Sequence, residues 1–237
     1  MRAYPYLLRT GIFAVLLAAA SVARAATPSS AELWLNNYYQ QPAPERFTSA
    51  VFELSRSGYF EQPHHVPLAI GFLGSIFAQH PDRVDEWMRV SPRLPVAHQR
   101  ILASALWYSG NPKGVTYLQA LARSANPELR HEIEGLVART PDLKSAEVKS
   151  VRSLDLQWGV FLATGEKAPV QNILAALGTD NNAKFSQDVR WSVAQNAAQH
   201  PRVLAICRDE LSRQPNAIRE TLRAVINDTE QRHQPST

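Results

Sequence analysis

The stretch Ile101–Arg130, ILASALWYSGNPKGVTYLQALARSANPELR, decides the fold. Ile101, Leu102, Ala105 and Leu106 recur at helical spacing, Gly110-Asn111 interrupts them, and Val115, Leu118, Leu121 and Ala122 resume the pattern. Pro112 follows the interruption directly. Proline suits the first turn of a helix, where its missing N–H has no partner to lose and its fixed φ is already helical. The stretch therefore predicts two helices joined by a tight turn.

The same punctuation recurs along the chain as His80-Pro81, Asn111-Pro112, Thr140-Pro141, Ala168-Pro169 and His200-Pro201, at intervals of 31, 29, 28 and 32 residues. Ala-Gln-His-Pro occurs twice in this series, at Ala78–Pro81 and Ala198–Pro201. It reads as one turn used twice, since a shared catalytic role would require two equivalent sites in one chain. Ahead of the turns, Val66 to Phe77 is apolar nearly all round, and Val151, Leu154, Trp158, Phe161 and Leu162 fall at helical spacing, as expected of buried helices. After the turns come shorter amphipathic partners such as Val170, Ile173, Leu174 and Leu177. Ser30 to Tyr39, with Ser29 or Ser30 as cap, and Pro44 to Ser57, ended by Gly58, precede the series, and Asn216 to Gln231 closes it. No strand-like alternation bounded by hairpin turns interrupts these patterns. The expected class is all-α, an α-solenoid-like array of helix-turn-helix units of about 30 residues each.

The first 25 residues read differently. Arg2 and Arg9 precede the apolar run Gly11–Ala20, and Ala23-Arg24-Ala25 offers the small residues a signal peptidase selects. This predicts a secretory signal peptide cut between Ala25 and Ala26, with an uncleaved anchor as the rival reading. The apolar run is about half the length needed to cross a bilayer. Expected divisions are residues 26–43, an N-terminal helix and Pro-rich linker; 44–231, the helical-repeat domain; and 232–237, a frayed tail.

The whole chain has 25 basic and 21 acidic residues. Arg2, Arg9 and Arg24 lie in the leader, which leaves 22 against 21 with the signs interspersed. A phosphate-tracking surface needs a clustered positive field, so nucleic acid is not an expected partner. Cys207 is the sole cysteine, within VLAICRDEL, and reads as a buried inert thiol, with an intermolecular disulfide left open.

One unit carries a family resemblance. Between Gln99 and Pro127, the turn Gly110-Asn111, the later Asn126-Pro127 and the small Ala122 in the second helix resemble a tetratricopeptide repeat. The stretch departs from that pattern at Pro112, where an aromatic is usual, at Val115 for the first packing alanine, and at Gln99 for the signature tryptophan. Leu154–Gly178 repeats part of it through Gly165, and a HEAT-like helical pair describes both units nearly as well. The resemblance implies a concave face lined by Arg100, Ser104, Trp107 and Tyr108, with Arg152 and Asp155 at similar positions in the second unit. Arginine and aromatic residues most often dominate recognition energy. Core packing is the alternative for Trp107.

Other constellations resemble chemistry. EQPH at Glu61–His64 and ELRH at Glu128–His131 match the Glu-x-x-His of di-iron bundles, but Pro63 interrupts the first, and Arg130 and Glu132 mark the second as a solvated face. His64-His65 reads as a polar loop, because adjacent residues do not share a helix face. With no phosphate loop and no G-x-S-x-G, no catalytic residue, metal or cofactor is assigned. The expectation is an exported protein of the Gram-negative periplasm, or a secreted one, that engages a protein or peptide of the cell envelope, with an envelope enzyme as a third reading that has no visible machinery. The alternative is a helical binding protein for a small apolar or lipid ligand, with Trp34, Tyr38 and Tyr39 available to either role.

Overall fold

A computed structural model describes residues 27–139, 147–178 and 183–233, and among these the regular structure is entirely helical. The leader with its cleavage point at Ala25-Ala26, the Thr140-Pro141 turn and residues 234–237 of the tail lie outside the described residues. No described helix is long and apolar enough to cross a membrane.

Local chemistry sets the helix starts. Ser29 caps α1 (Ser30–Asn37) by accepting from the Glu32 N–H, while the Glu32 carboxylate accepts from the Ser29 N–H in return. A 3-10 turn at Pro44–Arg46 leads into α2 (Phe47–Arg56), which ends at Gly58 with φ of +78°, a conformation that favours glycine. Asn111 caps α6 (Pro112–Ser124) and Asn126 caps α7 (Pro127–Val137), each with proline at the first helical position. Pro201 likewise opens α11 (Pro201–Glu210).

Two of the expected proline starts shift. Pro169 lies two residues inside α9 (Lys167–Ala175). Pro81 lies in a turn between α3 (His65–Gln79) and the short α4 (Val84–Trp87), so the first Ala-Gln-His-Pro ends a helix without starting the next. Its His80 sits edge-on to Trp87, whereas His200 is buried against Tyr39 and Phe161.

The core is centred on α3, whose residues from Ala69 to Phe77 are all buried. It packs most extensively against α8 (Val151–Thr164) and next against α5 (Val96–Tyr108). At the α3–α8 crossing both helices present glycine. A Cβ on Gly71 would stand 2.1 Å from the Leu156 carbonyl oxygen, and one on Gly159 would stand 2.0 Å from that of Leu68. Absent side chains thus let the two backbones touch.

Trp34 of α1 and Tyr38, which follows its last residue, meet Phe72 edge-to-face, with ring centroids 5.1–5.5 Å apart, and all three are buried. The C-terminal turn of α8 gathers other elements: the Leu162 carbonyl accepts from the Tyr39 N–H and the Ala163 carbonyl from the Gln79 amide. α9 follows α8, and α10 (Ala183–Gln199), α11 and α12 (Asn216–His233) pack together at the end of the chain.

Helix pairs joined by short turns are present at Pro112, Pro127 and Pro201. Neighbour-only stacking, as in a solenoid, does not describe the centre. Among the described residues the largest interface joins α3 to α8, which are far apart in the chain, with the α5–α6 and α6–α7 hairpins between them.

Candidate functional site

The tetratricopeptide resemblance implies a concave face on α5, and α7 packs against part of that helix. Arg100 forms ion pairs with Glu128 and, at 3.1 Å, with Glu132, one helical turn apart on α7. Trp107 is buried, its Nε1–H donates to the Arg139 carbonyl at 3.1 Å, and the Arg139 guanidinium lies 5.5 Å from its ring. Tyr108 meets Trp107 edge-on at 4.7 Å and, like Ser104, is half-buried. Trp107 is thus packing, and Arg100 is committed to α7.

In the second unit Arg152 is exposed, while the Asp155 carboxylate, 18% exposed, lies 3.3 Å from His64 Nδ1. Burial pushes the Asp155 carboxyl above its ordinary range, and the His64 contact only partly counters this. Arg100 and Asp155 therefore serve different partners on α7 and at the head of α3. The two Glu-x-x-His matches are divided in the same way: Glu61 contacts His98, His64 contacts Asp155 and Glu128 contacts Arg100.

Two polar arrangements escaped sequence reasoning. His98, 4% exposed, has its Nδ1 at 2.8 Å from the Ser55 hydroxyl and its Nε2 at 3.2 Å from Glu61. Both ring nitrogens are satisfied, and the imidazole ties α2 and the turn after it to α5. Glu210, 2% exposed, receives Lys167 at 2.8 Å, Gln214 at 2.9 Å, Gln171 at 3.0 Å and Arg213 at 3.1 Å. Burial alone would raise its pKa, but these four donors outweigh that and hold it at about 2. The arrangement locks α9 to α11.

Among the described residues, an open surface suited to a partner lies on α6 and α7. An open depression of about 430 Å³ is lined by Gln119, Ala122, Arg123, Arg130, Ile133, Glu134 and Val137. Ala122 and Ile133 are buried at its floor, and charges of both signs stand around it. Arg130 is held in place by its own bonds, with Nε at 3.0 Å from the Ala122 carbonyl and Nη2 at 3.3 Å from that of Ala125. It satisfies carbonyls at the end of α6 while keeping its charge beside the depression. Arg123 donates through Nε to the Gln119 carbonyl at 3.4 Å. A second depression of about 580 Å³ runs along α2 past Ser49, Phe52, Glu53, Arg56 and Ser57.

The signal for the α6–α7 depression lies in Ala122 and in ELRH, a small residue at a packing position and a solvated face that the fold brings side by side. Comparison with protein-family models, with curated proteins and with solved structures finds no match.

Proposed function

We propose that the protein is exported to the cell envelope and acts there as an interaction module, holding a protein or peptide segment against the α6–α7 hairpin. The observation that carries this reading is the open depression with an apolar floor and charges of both signs. A groove of that kind suits a chain that brings one aliphatic anchor and polar neighbours, whereas a small apolar ligand is better held in a closed apolar cavity. The helix-pair architecture of α5 to α7, in its resemblance to a tetratricopeptide repeat, supports the same class of function by analogy. The surface moves from the α5 face to the outer side of the hairpin, because Arg100 and Trp107 are engaged within the fold.

The test is site-specific crosslinking in intact cells. A photoreactive residue at Gln119 or Glu134, at the depression, should capture a discrete protein or peptide. The charge reversal Arg123→Glu should reduce that capture without unfolding the chain. Crosslinks confined to the α2 depression, or none at either position, overturn the assignment.

A further inference from the structure

His98 stands between a hydroxyl and a carboxylate that reach it from different elements. Ser55 comes from the last turn of α2, Glu61 from the 3-10 turn Tyr59–Glu61, and His98 from the first turn of α5. The left-handed Gly58 bends the chain between Ser55 and Glu61, and the Glu61 carboxylate lies back over it, where a Cβ would stand 3.2 Å from Oε2. The Phe60 ring meets the imidazole edge-on at 5.3 Å, and both are buried. Packing and hydrogen bonds together therefore set the plane of the imidazole.

The partners decide which nitrogen carries the proton. An ionised carboxylate only accepts, so the 3.2 Å contact between Nε2 and Glu61 Oε1 places the hydrogen of the neutral ring on Nε2. Nδ1 then carries the lone pair, and the Ser55 hydroxyl at 2.8 Å donates to it. Helix hydroxyls often bond to a carbonyl of their own helix, as Ser75 does to Gly71 and Thr164 to Val160. Ser55 is turned instead towards a base whose far side is held by an acid. A nucleophile, a base and a group that orients the base, each within hydrogen-bond reach of the next, is the arrangement that activates a serine.

Space for a substrate adjoins these three residues. The depression of about 580 Å³ along α2 is lined by Phe52, one turn before Ser55, and by Arg56 and Ser57, which follow it. Phe52 offers an apolar wall to an acyl group, with the Arg93 guanidinium 4.6 Å from its ring. Arg56 is exposed, and it is the cation next in the chain to an oxyanion forming at Ser55. Glu53, the carboxylate of this depression, is already engaged by the Ser30 hydroxyl and the Ala31 N–H.

We propose that Ser55, His98 and Glu61 form a hydrolytic site for small carboxylic esters, with Ser55 as nucleophile and His98 as general base and acid. Glu61 is a positioning residue, because it touches the imidazole and not the reacting atoms. In the first half of the reaction Ser55 Oγ bonds to the acyl carbon and its proton passes to Nδ1; the ester C–O bond breaks, and Nδ1 gives the proton to the departing alcohol oxygen. In the second half water bonds to the acyl carbon and loses a proton to Nδ1; the acyl–Oγ bond breaks, Ser55 recovers the proton, and a carboxylic acid leaves. The site lies on different helices from the α6–α7 depression, and neither proposal depends on the other.

The purified chain tests this with p-nitrophenyl acetate and a fluorophosphonate. The native protein should hydrolyse the ester and take one phosphonyl group on Ser55, located by peptide mass, while the denatured chain takes none. Ser55→Ala should remove the adduct and lower kcat/KM at least about 100-fold, with little change in thermal midpoint. Glu61→Gln, at an exposed side chain, should lower kcat about tenfold or more with KM unchanged, a split that the loss of a merely structural contact does not give. A folded chain that takes no adduct overturns the proposal, as does an adduct confined to other residues. Hydrolysis that survives Ser55→Ala, or a kcat indifferent to Glu61→Gln, overturns it as well.

Discussion

His200 and Cys207 lie close together in sequence, and each is governed by what surrounds it. His200 is 5% exposed, with Tyr39 Oη 3.5 Å from its Nδ1 and the Tyr39 and Phe161 rings against it. Burial lowers its pKa, and also that of His65, below the ordinary 6.5. The unfolded chain then binds more protons than the native one as pH falls below about 6.5, so stability is full above that value and declines beneath it. Glu210 contributes nothing to that first decline: its stabilisation is complete above about 4.5 and is lost only as pH approaches 2. The thermal midpoint should therefore begin to drop near pH 6, and His200→Phe, which keeps the ring packing, should flatten the slope between pH 6.5 and 5. An unchanged slope would place the titration elsewhere. Cys207 is buried, and burial with Glu210 nearby pushes its thiol up to about 12. A disulfide reagent at pH 8 should leave the native protein unlabelled and modify one thiol per chain in denaturant. The buried thiol was legible because its apolar neighbours are local, in VLAICRDEL. His98 was not, because Ser55 lies 43 residues before it in the chain and no local pattern joins them.

At the scale of the helices, punctuation was legible and pairing was not. Pro112, Pro127 and Pro201 stand at first helical positions because a missing N–H costs nothing there, a rule that operates within a few residues. Pro81 breaks the pattern: Asp82 and Arg83 separate it from α4, and the same four letters end α3 without opening a helix. The close α3–α8 crossing could not be read from either glycine alone, since Gly71 and Gly159 look like ordinary weak points in helical runs. Their role exists only when both backbones meet. Gly71→Ala and Gly159→Ala should each destabilise at or beyond the upper end of the about 1–3 kcal/mol typical of overpacking, because the added methyl meets backbone that cannot rotate away. Gly135→Ala in α7 meets nothing within 4 Å and should instead stabilise by about 0.5–1 kcal/mol. Urea unfolding of the three variants distinguishes this from a general intolerance of substitution. Equal effects at all three positions would mean that the crossing is loose.

Across the whole molecule, the dominant contact joins distant parts of the chain. An array of stacked units is held by nearest neighbours, so a fragment containing its first units keeps its own core and folds. Here α3 is flanked by α5 from the following hairpin and by α8 from beyond residue 147, and its apolar surface is nearly continuous around the helix. A fragment spanning residues 27–139 contains α1 to α7 but exposes the side of α3 that α8 covers, together with the Leu68, Gly71 and Phe72 backbone at the crossing. Burying α3 on one flank alone forfeits much of the apolar area that offsets its ordering entropy. Such a fragment should keep substantial helical signal in the far ultraviolet, lose the sharp aromatic signal of the Trp34, Tyr38 and Phe72 cluster, and melt without a cooperative transition. Adding the complementary fragment 147–233 should restore both the aromatic signal and the transition. A fragment that melts cooperatively alone would favour an array of stacked repeats. The same dependence bears on function: the α6–α7 hairpin rests on α5, and α5 rests on α3, so the proposed docking surface is complete only once α8 has closed the core. Capture through Gln119 should accordingly fail with the 27–139 fragment and return on complementation.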